Sequence, residues 1–390
     1  MSATNNRAVD ISVIMLCQVF QTAATAGIAL FVPSIRRDLG LSFTQAGTLS
    51  AVTVFCYALM QIPAGYLADR HGLKQIFFLG VFGTTLLCLT FGLVSNYWHA
   101  FLNQAASGIF HAFLFQAGLA LLASWFGAQR RATAMGLSLV GIFSGQVLMN
   151  SLGPLLLNRF NWRFPFISFG LAGILASLIY LWLGQQSSHS DSKRLGVADA
   201  VRLFRYRFMW VCGIIQYIRL GIMAGISFWL PSFLIDERGL SLQETGVILA
   251  FRTLLIAPSN MLGGYLSDRL RNPTAVMGVS LVILAITAAA LVKVTNVALL
   301  VGLIFLNAVF IQFYFGPIFA LPVEKYGAHM TGTLSGFGNF FANLGAFTFT
   351  YLLGLLKDQT GRFEAGFYTI AAASLVGVVF TIWLEQMRRH

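Results

Sequence analysis

At 390 residues, with 57% hydrophobic and only 10% charged side chains, the chain lacks the polar groups to cover a water-soluble surface, since an ordinary soluble domain carries about 25% charged residues. The net charge of +12 does not point to nucleic acid, because the basic residues are scattered over short polar stretches and form no continuous stripe. Membrane orientation accounts for them instead.

In chain order, turn residues and charges divide the sequence into twelve apolar segments, near 11–33, 45–67, 75–95, 98–125, 132–157, 164–184, 208–233, 243–266, 274–294, 297–322, 331–356 and 364–384. Several run for about 20 residues without a charge, the length a helix needs to cross a hydrocarbon core of ~30 Å. The first segment is too long for the apolar region of a cleavable signal and leads directly into a second span. Cys17, Cys56, Cys88 and Cys212 all fall in apolar segments at spacings that match no metal or disulfide framework, and are expected to be small packing residues. No cofactor or metal is expected.

An even number of spans places both termini on one side. With the N-terminus inside, fifteen Lys and Arg residues fall on the inner segments and eight on the outer loops. That bias predicts cytoplasmic termini in a multi-pass protein of the plasma or inner membrane. The predicted fold is all-α, with twelve transmembrane helices in two pseudo-symmetric six-helix bundles: residues 1–184, a cytoplasmic linker at 185–207, and residues 208–390.

The two halves repeat one another. Gly65-Tyr66-Leu67-Ala68-Asp69-Arg70 recurs as Gly264-Tyr265-Leu266-Ser267-Asp268-Arg269, an offset of 199 residues. Val32-Pro33-Ser34 returns as Leu230-Pro231-Ser232, Leu41-Ser42 as Leu240-Ser241, and Gln18 as Gln216. Such self-similarity indicates two homologous units. Parallel six-helix repeats are expected to bind a solute near the midplane and to work by rocking one half against the other.

The stretch Gly65-Tyr66-Leu67-Ala68-Asp69-Arg70-His71-Gly72-Leu73-Lys74-Gln75 closely resembles the loop between helices two and three of the major facilitator superfamily, and the span count and repeat extend the resemblance over essentially the whole chain. The resemblance implies a conformational latch at Gly65, Asp69, Arg70, Gly72 and Lys74, with a second copy at Asp268 and Arg269. The second copy lacks the later glycine and lysine, having Leu270-Arg271-Asn272-Pro273. Trp162-Arg163, Gly336-Phe337-Gly338-Asn339 and Asn343-Leu344-Gly345 resemble organic-anion branches of the superfamily. Two departures matter. Gln104 stands where many members carry an arginine, and Gly141-x-x-x-Gly145 is not followed by the proline of the drug-antiporter motif. These argue against a standard proton relay and against drug efflux.

An ionisable side chain at mid-bilayer costs about 2.5 to 3.5 kcal/mol on insertion scales. Arg219 in span seven and Arg252 in span eight are the two clear cases, and no Asp or Glu lies at comparable depth. In the repeat they correspond to Gln21 and Thr53, so the charge belongs to one half alone. Two guanidiniums suit a carboxylate, phosphate or similar oxyanion; the bland alternative is that they bind helix carbonyls or snorkel to an interface. In the family the first helix of each triplet lines the pathway, which implies that Arg219, Gln216, Gln21 and Gln18 line it. His111 shares a face with Gln104 and Gly108 and is either a substrate or proton site or a neutral packing residue. Asn307 with Tyr314, and Asn339 with Asn343, share helix faces and are either orienting groups or interhelical glue.

The expected function is alternating-access transport of a small organic anion, a carboxylate, by exchange or with a proton or counter-anion, in a monomer embedded in lipid. Efflux of amphipathic drugs or lipids, transport of a neutral compound, and a transporter-like sensor are the alternatives. An enzyme is not expected, because the sequence has no nucleophile elbow, phosphate-cradling loop or metal-ligand cluster.

Overall fold

The computed structural model describes residues 3–125, 131–184, 203, 205–327 and 331–389. These form thirteen α-helices and no strand: α1 (Ala3–Leu39), α2 (Phe43–His71), α3 (Leu73–Phe91), α4 (Tyr97–Trp125), α5 (Arg131–Arg159), α6 (Arg163–Leu183), α7 (Arg207–Ser232), α8 (Leu242–Leu270), α9 (Pro273–Lys293), α10 (Val297–Phe313), α11 (Phe315–Tyr326), α12 (Thr331–Thr360) and α13 (Glu364–Arg389). Eleven spans among the described residues are long and apolar enough to cross a membrane. The predicted fourth span corresponds to α4, a helix of 29 residues. Most of the predicted linker at 185–207 lies outside the described residues.

Helices end where local chemistry ends them. Ser42 caps α2 through a reciprocal box with Gln45, and Ser241 repeats that arrangement with Glu244 at the start of α8. Each box satisfies two orphan donors of a first turn, and the two lie 199 residues apart. At the other end of α2, Gly72 has a φ of 91°, and Arg271, its repeat equivalent after α8, has a φ of 50°. A side chain thus occupies a backbone conformation that glycine takes without strain.

Tertiary contacts divide the chain into two compact units, Met1–Ser192 with Leu234–Ala250, and Lys193–Phe233 with Phe251–His390. In the first, α1 packs on α5 and α6, while α4 packs on α2 and α3. Ile14, Cys17, Phe77, Val81, Ala117, Leu121 and Tyr180 form its core. Its segment Leu234–Ala250 is tied in by an Arg37–Asp236 ion pair of 3.2 Å. Trp162 and Arg163 both donate to Asp38, joining the start of α6 to the end of α1. In the second unit, α7 packs on α12 and α13, and α9 packs on α10 and α13.

One contact recurs in both units. A Cβ on Gly145 of α5 would lie 2.1 Å from the Val19 carbonyl of α1, and one on Gly345 of α12 would lie 1.9 Å from the Tyr217 carbonyl of α7. Each first helix is therefore seated against its partner backbone by a missing side chain. Large apolar residues such as Leu59, Trp98, Trp182 and Met261 remain exposed, as lipid-facing residues are where every helix satisfies its own backbone.

The tenth span departs from the expected single helix. It breaks at Tyr314, between α10 and α11. Pro317 supplies no amide hydrogen, and its ring clashes with a helical carbonyl four residues earlier, that of Phe313. Gly263 of α8 packs against this carbonyl, where a Cβ would lie only 2.1 Å away.

Candidate functional site

The second unit gathers its polar groups along one face of α7. Gln216, Arg219, Met223 and Ser227 follow one another at i, i+3, i+7 and i+11, which stacks them on one side of the helix. Arg219 is 3% exposed. Its Nε donates to Gln216 Oε1 at 2.7 Å, and its guanidinium carbon sits 4.8 Å from the centre of the Phe315 ring. One level along, the Gln312 amide donates to the Met223 sulfur at 3.4 Å. Further on, Arg252 reaches in from α8 and donates from Nη1 to Ser227 Oγ at 3.1 Å. Ser227 lies eight residues beyond Arg219, about 12 Å along the axis, so the two arginines hold different levels of one polar stripe.

Arg252 is 5% exposed, and its Nε is buried with no hydrogen-bond partner among the described residues. Among the described residues no carboxylate lies within ion-pair distance of either arginine. An unpaired buried ion carries a desolvation penalty of several kcal/mol. The stripe thus presents excess N–H donors and positive charge with nothing among the described residues to neutralise them. Chemically, it is suited to hold an oxyanion through charge-assisted hydrogen bonds.

The break in the tenth span borders this stripe. Tyr314 is fully buried, its hydroxyl has no partner among the described residues, and it immediately precedes the Phe315 ring that meets Arg219. Asn343 turns to its own helix, donating to the Asn339 carbonyl at 2.8 Å. Gly338, in the preceding turn of α12, faces the Gln216 amide. Asn307 bonds Thr287 at 3.0 Å and joins α10 to α9.

The repeat-equivalent positions of the first unit carry neutral groups. Gln21 Nε2 and His111 Nδ1 are 3.4 Å apart, and the Tyr57 ring meets the His111 ring edge-on at 5.1 Å. Thr53 donates to Gln104 at 3.1 Å, and Gln104 donates onward to Asn103. Gly108 allows this approach, since its Cβ would lie 2.2 Å from the Thr53 carbonyl. Gln18 is buried beside Gly118 of α4 and Gly141 of α5.

Around the expected latch, Arg70, Asp268 and Arg269 are exposed and Lys74 is half-buried. Arg269 reaches the Tyr265 hydroxyl at 3.4 Å. The side chain of Asp69 lies outside those described. Among the described residues nothing approaches within 4 Å of a Cβ placed on Gly65 or Gly264, so the tight helix contact falls at Gly263 instead.

Sequence reasoning missed Met223, Ser227, Gln312 and Phe315. The α7 spacing was available as a signal for Met223 and Ser227, and Gly316-Pro317 was available for the break that brings Phe315 to Arg219.

A profile described as Major Facilitator Superfamily matches residues 14–350. The chain is 26% identical over 393 aligned positions to a probable L-galactonate transporter of Escherichia coli K12, covering 90% of this chain and 83% of that one. It is 24% identical to a probable galactarate/D-glucarate transporter of Bacillus subtilis, covering 92% and 87%. Among solved structures, a bacterial homologue of the human lysosomal transporter Spinster, inward-facing and occupied, superposes with a TM-score of 0.83 at 17% identity, covering 99% of this chain and 98% of that one.

Proposed function

Because this chain belongs to the major facilitator superfamily, we propose that it carries a small organic anion, a carboxylate, across the membrane by alternating access, with Arg219 and Arg252 as its electrostatic anchors. The protein is a multi-pass membrane carrier and not an enzyme. One observation carries the reading: two guanidiniums are buried on one polar stripe, and no carboxylate among the described residues pairs with either. The missing charge is the cargo's. The names of the relatives, which specify galactonate, galactarate and glucarate, favour a carboxylate over a phosphate.

Anion exchange suits such a site, because an empty pair of buried cations resists reorientation and a neutralised pair does not. Proton coupling is the other route, with His111 as the group placed to take part through Gln21. In this reading the termini are cytoplasmic, the loops around Arg70 and Arg269 act as latches on that face, and the carrier works as a monomer.

The test is uptake of labelled galactonate into proteoliposomes loaded with unlabelled galactonate, or with buffer and an imposed pH gradient. Uptake that is lost in both Arg219→Gln and Arg252→Gln is the expected result. Normal uptake in both variants, or transport only of uncharged or amphipathic compounds, would overturn the assignment. Exchange loading and the pH gradient separate the two coupling modes.

A further inference from the structure

The polar stripe offers more than positive charge. Tyr314 precedes Phe315, whose ring lies against Arg219, and its hydroxyl is fully buried with no partner among the described residues. The Gln312 amide, 5% exposed, gives its nitrogen to a thioether, which is a weak acceptor. Both groups are neutral, and both donate as well as accept. A guanidinium only donates and a carboxylate only accepts, so a carboxylate held by Arg219 leaves the acceptor side of both groups unmet. Burying a hydroxyl unpaired is costly, and the span is interrupted at the very residue that carries it. Discontinuous spans recur at the solute sites of carriers because a helix interruption is tolerated only where something else satisfies it.

We propose that Tyr314 is a specificity-determining residue whose hydroxyl pairs with a hydroxyl on the carbon chain of the cargo, so that the site selects hydroxylated carboxylates over their deoxy counterparts. The inference rests on the reading of Arg219 as the anion anchor. Arg219 fixes the carboxylate end, the phenol beside it meets an oxygen on a nearby carbon, and Gln312 extends the same neutral wall. An analogue that lacks that oxygen leaves the phenol unpaired on binding, which is how a buried polar site rejects a smaller ligand.

The experiment is calorimetric binding to the purified full-length protein of galactonate, its 2-, 3- and 4-deoxy analogues, hexanoate and nitrate, repeated with Tyr314→Phe and Arg219→Gln. In the wild type, one deoxy analogue is expected to bind about tenfold more weakly than galactonate, the factor that about 1.4 kcal/mol gives. In Tyr314→Phe, galactonate weakens by that factor, and the penalty for the same deoxy analogue disappears. A merely structural tyrosine would weaken every ligand alike and leave the ratio unchanged, which would overturn the inference. Tight binding of hexanoate or nitrate in place of galactonate would also overturn it while leaving the anion reading intact. If no anion binds the wild type, or if Arg219→Gln binds all of them normally, the anion reading fails first and takes this inference with it.

Discussion

Replacing Arg219 with methionine separates a binding role from a structural one. Methionine keeps an unbranched chain of similar reach and removes the charge. Among the described residues the wild-type guanidinium has one hydrogen bond, to Gln216, and a ring contact with Phe315. A hydrogen bond to a charged group contributes about 1.5 to 3 kcal/mol, and leaving the Gln216 oxygen unpaired costs about 1 to 3 more. Against this stands the several kcal/mol spent on burying an unpaired ion. The losses, about 2.5 to 6 kcal/mol together, overlap that gain, so empty Arg219→Met is expected to lie within about 2 kcal/mol of the wild type. Adding galactonate at a hundred times its dissociation constant stabilises the wild type by about 2.7 kcal/mol and leaves the variant unmoved. Melting of the detergent-purified protein with and without galactonate measures both quantities. A variant that loses several kcal/mol when empty would mean that the arginine holds the fold together, and a variant that keeps the full shift would mean that it does not touch the anion.

Three further outcomes are expected. Gly345→Val and Gly145→Val press a side chain into the Tyr217 and Val19 carbonyls, and each should lower the melting temperature by an amount on the overpacking scale of about 1 to 3 kcal/mol, while Gly302→Ala, whose Cβ enters open space among the described residues, should not. Arg271→Gly relieves a positive φ and should raise stability by about 1 kcal/mol, seen as a higher melting temperature with unchanged transport. His111→Gln keeps a hydrogen-bonding group beside Gln21 and should leave anion affinity intact while abolishing any stimulation of uptake by a pH gradient; stimulation that persists would remove His111 from the coupling route.

The repeat made most of the fold legible. A motif recurring at an offset of 199 residues revealed the repeat, and Leu41-Ser42 with Leu240-Ser241 foreshadowed two capping boxes, because capping is local chemistry written in four consecutive residues. The glycine contacts were only half legible. Gly65 and Gly264 stand out in the motif, yet the close approaches occur at Gly145, Gly263 and Gly345, since a close approach depends on which face a neighbouring helix presents. Arg219 and Arg252 were visible as charges without acids. What could not be read was the partition of their bonds, Arg219 to Gln216 of its own helix and Arg252 to Ser227 of the preceding helix. The break at Tyr314 escaped because Gly316-Pro317 sits inside a long uncharged run, where proline in a membrane helix more often kinks than divides.

Two buried cations on one unit also have an electrical consequence. If reorientation carries the stripe through part of the membrane field, the empty carrier moves positive charge. A monoanion cancels half of it, and a dianion leaves the moving assembly neutral. Each uncompensated charge couples to the potential at about 2.3 kcal/mol per 100 mV, scaled by the fraction of the field it crosses. The resting voltage would then govern the return of the empty form and be indifferent to the passage of a doubly charged cargo, so the valence of what is bound sets which half of the cycle the cell's own potential can hurry or hold back.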